Sequence, residues 1–222
     1  MEVRGIKSFV LRSGRMSSAQ KRSYRNLSPL YCVSPETAIT DYGTVFGNAN
    51  PVIIEIGFGS GSVTASLAEK NPDENYLGIE VFKAGIGKLL WEIEQRDLIN
   101  IRIIEGDAVP VFSGVLPEGG ADGCHIFFPD PWPKKRHHKR RLVTRPFTEK
   151  IRDCLKPHGY IYMVTDWEDY AAWALAELNA TAALVNTCDG FAAPQEWRPR
   201  TRFEAKGLAK QHEVRELFFE KR

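Results

Sequence analysis

No stretch of this 222-residue chain is apolar for long enough to span a bilayer. The first residues also lack the apolar centre of a secretory signal, because Phe9-Val10-Leu11 is boxed in by Lys7 and Arg12. A cytoplasmic chain with no membrane partner is therefore expected. Cysteine is scarce: Cys32, Cys124, Cys154 and Cys188 stand far apart and form no C-x-x-C pair. That spacing favours free thiols in a reducing compartment over disulfides or structural zinc. His137-His138 is the one histidine cluster, and the cations around it would repel a metal ion, so no metal site is expected. Internal repeats and low-complexity tracts are missing too, which sets aside solenoids and long linkers.

What remains is ordinary globular material, 43% hydrophobic and 26% charged, enough to bury a core. A net charge of +2 says little by itself, but its distribution says more. Residues 1–25 carry Arg4, Lys7, Arg12, Arg15, Lys21, Arg22 and Arg25 against Glu2 alone. A second run, Lys134 to Arg141, contains no acid. Two basic clusters on a near-neutral chain are the footprint of a polyanion binder, although two solvated loops would give the same pattern.

Residues 1–50 are basic and polar, with Pro29, Pro35 and Gly43 expected to interrupt any long element. They read as a basic, partly flexible N-terminal extension ahead of a domain over 51–222. From Pro51 onward strands and helices alternate. Val52 to Ile56, Tyr76 to Val81, Ile101 to Ile104, His125 to Phe128 and Tyr160 to Thr165 read as buried strands. Helices are expected over 62–70, 83–96, about 142–155 and 167–178. Such alternation implies an α/β fold, a parallel sheet with helices on both faces, whose ligands bind at the carboxyl ends of the strands.

The first of those ends carries Glu55-Ile56-Gly57-Phe58-Gly59-Ser60-Gly61. Glycines in alternation let the backbone turn tightly against a ligand. Their spacing is G-x-G-x-G, not the G-x-G-x-x-G of dinucleotide sites, and Glu55 would repel a pyrophosphate while attracting a sulfonium or ammonium. Both features count against a nicotinamide-dependent dehydrogenase. Glu80 ends the second strand, where a carboxylate can accept from both ribose hydroxyls, and Asp107 follows the third, placed to accept from an adenine amino group. On these residues the chain resembles the Rossmann-type S-adenosylmethionine methyltransferases. The resemblance implies a Rossmann-like seven-stranded sheet whose last strand, Val214 to Phe219, runs antiparallel.

The fourth strand runs into Phe127-Phe128-Pro129-Asp130-Pro131-Trp132-Pro133-Lys134-Lys135-Arg136. Prolines on both sides hold Asp130 in a rigid turn, and Trp132 offers a flat face to a base or packs on the loop. Together with the segment 55–61, Thr165-Asp166-Trp167 and Thr201-Arg202-Phe203-Glu204, this segment is similar to the bacterial tRNA (guanine-N7-)-methyltransferase family. The resemblance implies S-adenosylmethionine as cofactor, held by Glu55, Glu80, Asp107 and Asp130 around Gly57, Gly59 and Gly61, with Asp130 also catalytic. It implies substrate contacts from Lys134, Asp166, Thr201, Arg202, Phe203 and Glu204. Arg136, His137, His138, Lys139, Arg140 and Arg141 would touch RNA. The expected product is 7-methylguanosine in the tRNA variable loop. No protein partner is implied, and a monomer or homodimer is expected. A methyltransferase acting on another RNA nucleophile, such as an exocyclic amine, stays open. So does a nucleoside-dependent RNA-binding protein without catalysis.

Overall fold

The computed structural model describes residues 6–10, 14–200, 204 and 213–222. Helix α1 (Ser18–Tyr31) leads into a two-residue strand β1 (Cys32–Val33) and a short helix α2 (Tyr42–Phe46). The alternation then runs β2 (Val52–Ile56), α3 (Ser62–Lys70), β3 (Asn75–Glu80), α4 (Lys83–Arg96), β4 (Ile101–Glu105), α5 (Ala108–Gly114) and β5 (Ala121–Phe127). A 3-10 turn at Lys135–Arg140 precedes α6 (Arg145–Cys154), β6 (Leu155–Thr165), α7 (Glu168–Asn179), β7 (Leu184–Asn186) and β8 (Arg215–Lys221).

The strands form one sheet in the order β1-β4-β3-β2-β5-β6-β8-β7. Strands β1 to β6 pair in parallel, while β8 lies antiparallel to β6 with Tyr160 opposite Glu220 and Thr165 opposite Arg215. The Rossmann-like sheet with an antiparallel last strand is thus present, with β1 added at the edge beside β4. One layer packs α2, α5, α6 and α7 against the sheet through Phe46, Phe112, Phe147, Ile151 and Tyr170. The other packs α1, α3 and α4 through Leu67, Ile86, Leu89, Leu90 and Ile93. Burying each such side chain stabilises the fold by about 1.5–3 kcal/mol. Among the described residues no helix is long and apolar enough to cross a membrane.

One expectation is corrected. Pro29 does not keep a long element from forming before Pro51, because it lies within the 14-residue α1. A proline near the end of a helix removes a single ladder hydrogen bond. Against that loss stand a capping box between Ser17 and Gln20 and the packing of Tyr24, Leu27 and Tyr31 on the α3–α4 layer. Ser23 Oγ donates to Glu94 Oε2 at 2.6 Å and Tyr24 donates to Glu105 at 2.5 Å, fixing the helix on α4 and β4.

The sheet order reverses beside β2, whose neighbours are β3 and β5. At such a switch point the loops leaving adjacent strands diverge and open a crevice at the carboxyl ends.

Candidate active site

That crevice is a cavity of about 340 Å³. Its floor comes from Ile56, Gly57, Gly59, Ile79 and Glu80 at the ends of β2 and β3, and its sides from Gly106, Asp107 and the loop Phe127–Asp130. Three carboxylates line it, and none of its described lining residues is Lys, Arg or His. A lining in which carboxylates outnumber cations disfavours a phosphate and suits hydroxyl, amino and sulfonium groups.

The glycine loop folds as its spacing requires. Gly57, Gly59 and Gly61 have φ of +74°, +58° and +70°, the left-handed region that a side chain disfavours. Among the described residues a Cβ on Gly57 or Gly59 would meet no atom within 4 Å beyond its chain neighbours, so both backbones face space that a ligand can approach closely. At Gly61 a Cβ would stand 2.6 Å from Leu89, and this third glycine serves helix packing; it does not line the cavity.

Glu80 is 7% exposed and is held by three backbone donors. Gly59 N–H donates to its Oε2 at 2.8 Å, while Val81 and Phe82 N–H donate to Oε1 at 2.7 and 2.9 Å. Burial raises its pKa, the backbone donors oppose the rise, and Asp130 adds to it through charge repulsion. Asp107 caps α5 by accepting from Val109 N–H at 3.2 Å and also meets Lys7 Nζ at 3.2 Å. Glu55 lies elsewhere. It is 2% exposed, accepts from Thr64 Oγ1 at 2.7 Å and is absent from the cavity lining. Burial pushes its pKa up to about 7, with Thr64 opposing and Glu80 adding to the shift.

Asp130 lines the cavity from a strained turn: Phe128 and Trp132, on either side of the two prolines, have φ of +50° and +47°. Such conformations persist only where the surroundings over-determine them. Trp132 Nε1 donates to Ser8 O at 2.9 Å, and the Arg140 guanidinium stands 4.0 Å over its ring. One face of the indole is therefore already covered. Arg140 also donates to Lys7 O at 3.0 Å and Phe9 O at 3.4 Å. These bonds draw Ser8, Phe9 and Val10 across the cavity as a further wall. Sequence reasoning missed that wall, since a tripeptide between cations carries no motif.

Of the basic run, Lys134, Lys135, Arg136 and Lys139 are exposed, and His137, His138 and Arg140 are half-buried. Partial burial and the neighbouring cations lower the His137 pKa. Arg141, expected to touch RNA, has a side chain that is 0% exposed and bonded to Asp169 and Pro131. Asp166 lies half-buried just after β6 and does not line the cavity. Glu204, expected to contact the substrate, lies inside the fold. It is 5% exposed and takes a bidentate ion pair from Arg198, at 2.7 and 2.8 Å, while Arg198 also bonds Glu216 and Tyr162. Arg198 itself carries no sequence signal. Thr201, Arg202 and Phe203 lie outside the described residues.

Residues 49–217 match the family whose description reads "Putative methyltransferase". A tRNA (guanine-N(7)-)-methyltransferase of Chromobacterium violaceum is 47% identical over 99% of this chain and 97% of its own. One from Nitrosospira multiformis is 46% identical over 99% and 96%. Among solved structures, a 16S rRNA methyltransferase, KamB, aligns with a TM-score of 0.60 at 12% identity, covering 95% of this chain and 96% of that one. An antibiotic-related methyltransferase aligns at 0.55 and 20% identity, covering 84% and 96%. These two carry the fold alone, and it is end-to-end sequence identity that settles kinship: the chain belongs to the tRNA (guanine-N(7)-)-methyltransferase family.

Proposed function

We propose that the chain transfers a methyl group from S-adenosylmethionine to N7 of a guanine in tRNA. The observation that carries this reading is the cavity at the ends of β2, β3 and β5, lined among the described residues by carboxylates and no cation, with a basic turn beginning five residues after Asp130. When bound, S-adenosylmethionine supplies a methyl group on a positively charged sulfur. Its ribose hydroxyls suit Glu80, its adenine amino group suits Asp107, and the open backbones of Gly57 and Gly59 allow close approach.

Guanine N7 presents a lone pair and no proton, so attack needs no general base. Asp130 therefore acts by charge. As methyl transfer moves positive charge onto the purine, a carboxylate fixed between two prolines stabilises it without reorganising. Asp166 and Lys134, which the family resemblance assigns to the substrate, serve the guanine edge and a neighbouring phosphate. Positioning of a base lifted from its stack supplies much of the remaining rate enhancement. Arg136, Lys139 and the half-buried Arg140, with His137 and His138 between them, offer the backbone a cationic track.

The relatives' names support tRNA as substrate and, with it, a cytoplasmic site of action. The variable loop is the position that the family resemblance implies. The test is incubation with methyl-labelled S-adenosylmethionine and unmodified tRNA, followed by digestion to nucleosides. Label in 7-methylguanosine supports the reading. Label on an exocyclic amine, or none, overturns it.

A further inference from the structure

Arg141 closes the run that charge patterning assigns to phosphate, yet it is the one member whose side chain is 0% exposed. Its Nε donates to the carbonyl of Pro131 at 3.1 Å. One Nη donates to Asp169 and lies 3.2 Å from His138 Nε2. The other Nη is buried and makes no hydrogen bond among the described residues. The guanidinium carbon stands 5.1 Å and 5.2 Å from the ring centres of Tyr170 and Trp173. Those rings are themselves fixed, because Tyr170 Oη accepts from Val143 N–H at 3.1 Å and Trp173 Nε1 donates to Val143 O at 2.8 Å.

A cation in this position cannot reach a phosphate or release counterions without leaving Asp169 and exposing the aromatic pocket. Its burial carries a desolvation cost that is offset only by well-made bonds. What those bonds join is informative. Pro131 follows Asp130 in the strained turn after β5, and Asp169 belongs to the first turn of α7, three residues after Asp166. The loops leaving β5 and β6 are thus pinned to one guanidinium. A planar fork can bond a carbonyl and a carboxylate at once, which an ammonium on a flexible stem does poorly.

We propose that Arg141 is a positioning residue for methyl transfer, locking the turn that carries Asp130 to the start of α7 so that Asp130 and Asp166 keep a fixed separation. The proposal rests on Asp130 and Asp166 serving the reacting base.

The experiment compares Arg141→Lys, Arg141→Gln, Asp169→Ala and Asp169→Glu, measuring kcat, KM for tRNA, cofactor affinity by calorimetry and the salt dependence of tRNA binding. Misplacing a reacting group by about 1 Å costs on the order of 100-fold, so Arg141→Lys and Asp169→Ala should each lower kcat roughly 10- to 100-fold. Cofactor affinity and the salt slope should stay as in the wild type, and Asp169→Glu should recover most of the turnover. The Asp169 side chain is 63% exposed, so its replacement keeps the test valid even where an Arg141 variant fails to fold. Once one partner is gone, removing the second should add little. Wild-type kcat in folded Asp169→Ala would overturn the proposal. So would a salt slope flattened by about 0.7–0.9 in a folded Arg141→Gln variant with turnover intact, the mark of a phosphate-binding cation. If the wild type methylates some other atom, the proposed function fails, and the Arg141 comparison still reads out on that acceptor.

Discussion

Changing Glu80 to glutamine replaces one carboxylate oxygen with an NH2 group and leaves the side chain's shape almost unaltered. Three backbone N–H groups now converge on that carboxylate, one on Oε2 and two on Oε1. The amide oxygen can keep the Val81 and Phe82 pair, but the new NH2 then faces Gly59 N–H, donor against donor. A hydrogen bond to a charged group contributes about 1.5–3 kcal/mol, and here the bond removed is the tie that holds the glycine loop on the cavity floor. At about 1.4 kcal/mol per factor of ten, cofactor affinity should weaken roughly 10- to 150-fold. A ribose hydroxyl that loses its charged acceptor moves the result toward the upper end. Titration calorimetry with S-adenosylmethionine in the absence of tRNA measures this, and circular dichroism checks the fold. A folded Glu80→Gln variant that binds with wild-type affinity would refute both the hydrogen-bond argument and the assignment of Glu80 to the cofactor.

Asp130→Asn keeps the turn and removes the charge, so kcat should fall by more than KM rises while tRNA affinity holds; an unchanged kcat in steady-state assays would reduce Asp130 to a turn element. Replacing exposed Arg136 and Lys139 by alanine should flatten the slope of log K against log salt by about 0.7–0.9 for each phosphate left without its cation, read from filter binding at several salt concentrations. Glu55, with a folded pKa of about 7 against 4.5 for a free carboxyl, stays protonated in the fold while the unfolded chain ionises. Stability should therefore fall as pH rises from 4.5 to about 7, by about 3 kcal/mol in all, and level off above. Urea titrations of Glu55→Gln should show that slope removed, and an equal slope in the variant would place the titration elsewhere.

The sheet was legible because its strands are short β-branched runs fenced by glycine and proline, and because 83–96 repeats its apolar residues at helical spacing. Helix α1 was obscured by Pro29, whose effect depends on how near the helix end it falls and on what packs against the rest. Helix α5 contains Pro110 and is only seven residues long, too short for periodicity to register. At the site, Glu80, Asp107 and Asp130 announced themselves by standing at or just beyond the carboxyl ends of strands. Glu55 shared that signature, but strand alternation turned it toward Thr64 under the loop. Charge patterning treated Arg141 like its neighbours: a run of cations does not say which member turns inward, and Tyr170, Trp173 and Asp169, about thirty residues on, supply the pocket. The Arg198–Glu204–Glu216 cluster depends on a partner from β8 and left no local trace.

The central claim is that methyl goes to guanine N7, an atom with a lone pair and no proton, and one substitution in the RNA tests it directly. Transcribed tRNA carrying 7-deazaguanosine replaces N7 with a C–H group and leaves the Watson–Crick edge and backbone intact. With labelled S-adenosylmethionine, the unsubstituted transcript should take up label as 7-methylguanosine, and the deaza transcript should bind with similar affinity and take up none. Equal incorporation into the deaza transcript would contradict the account, since the methyl would then be reaching another atom.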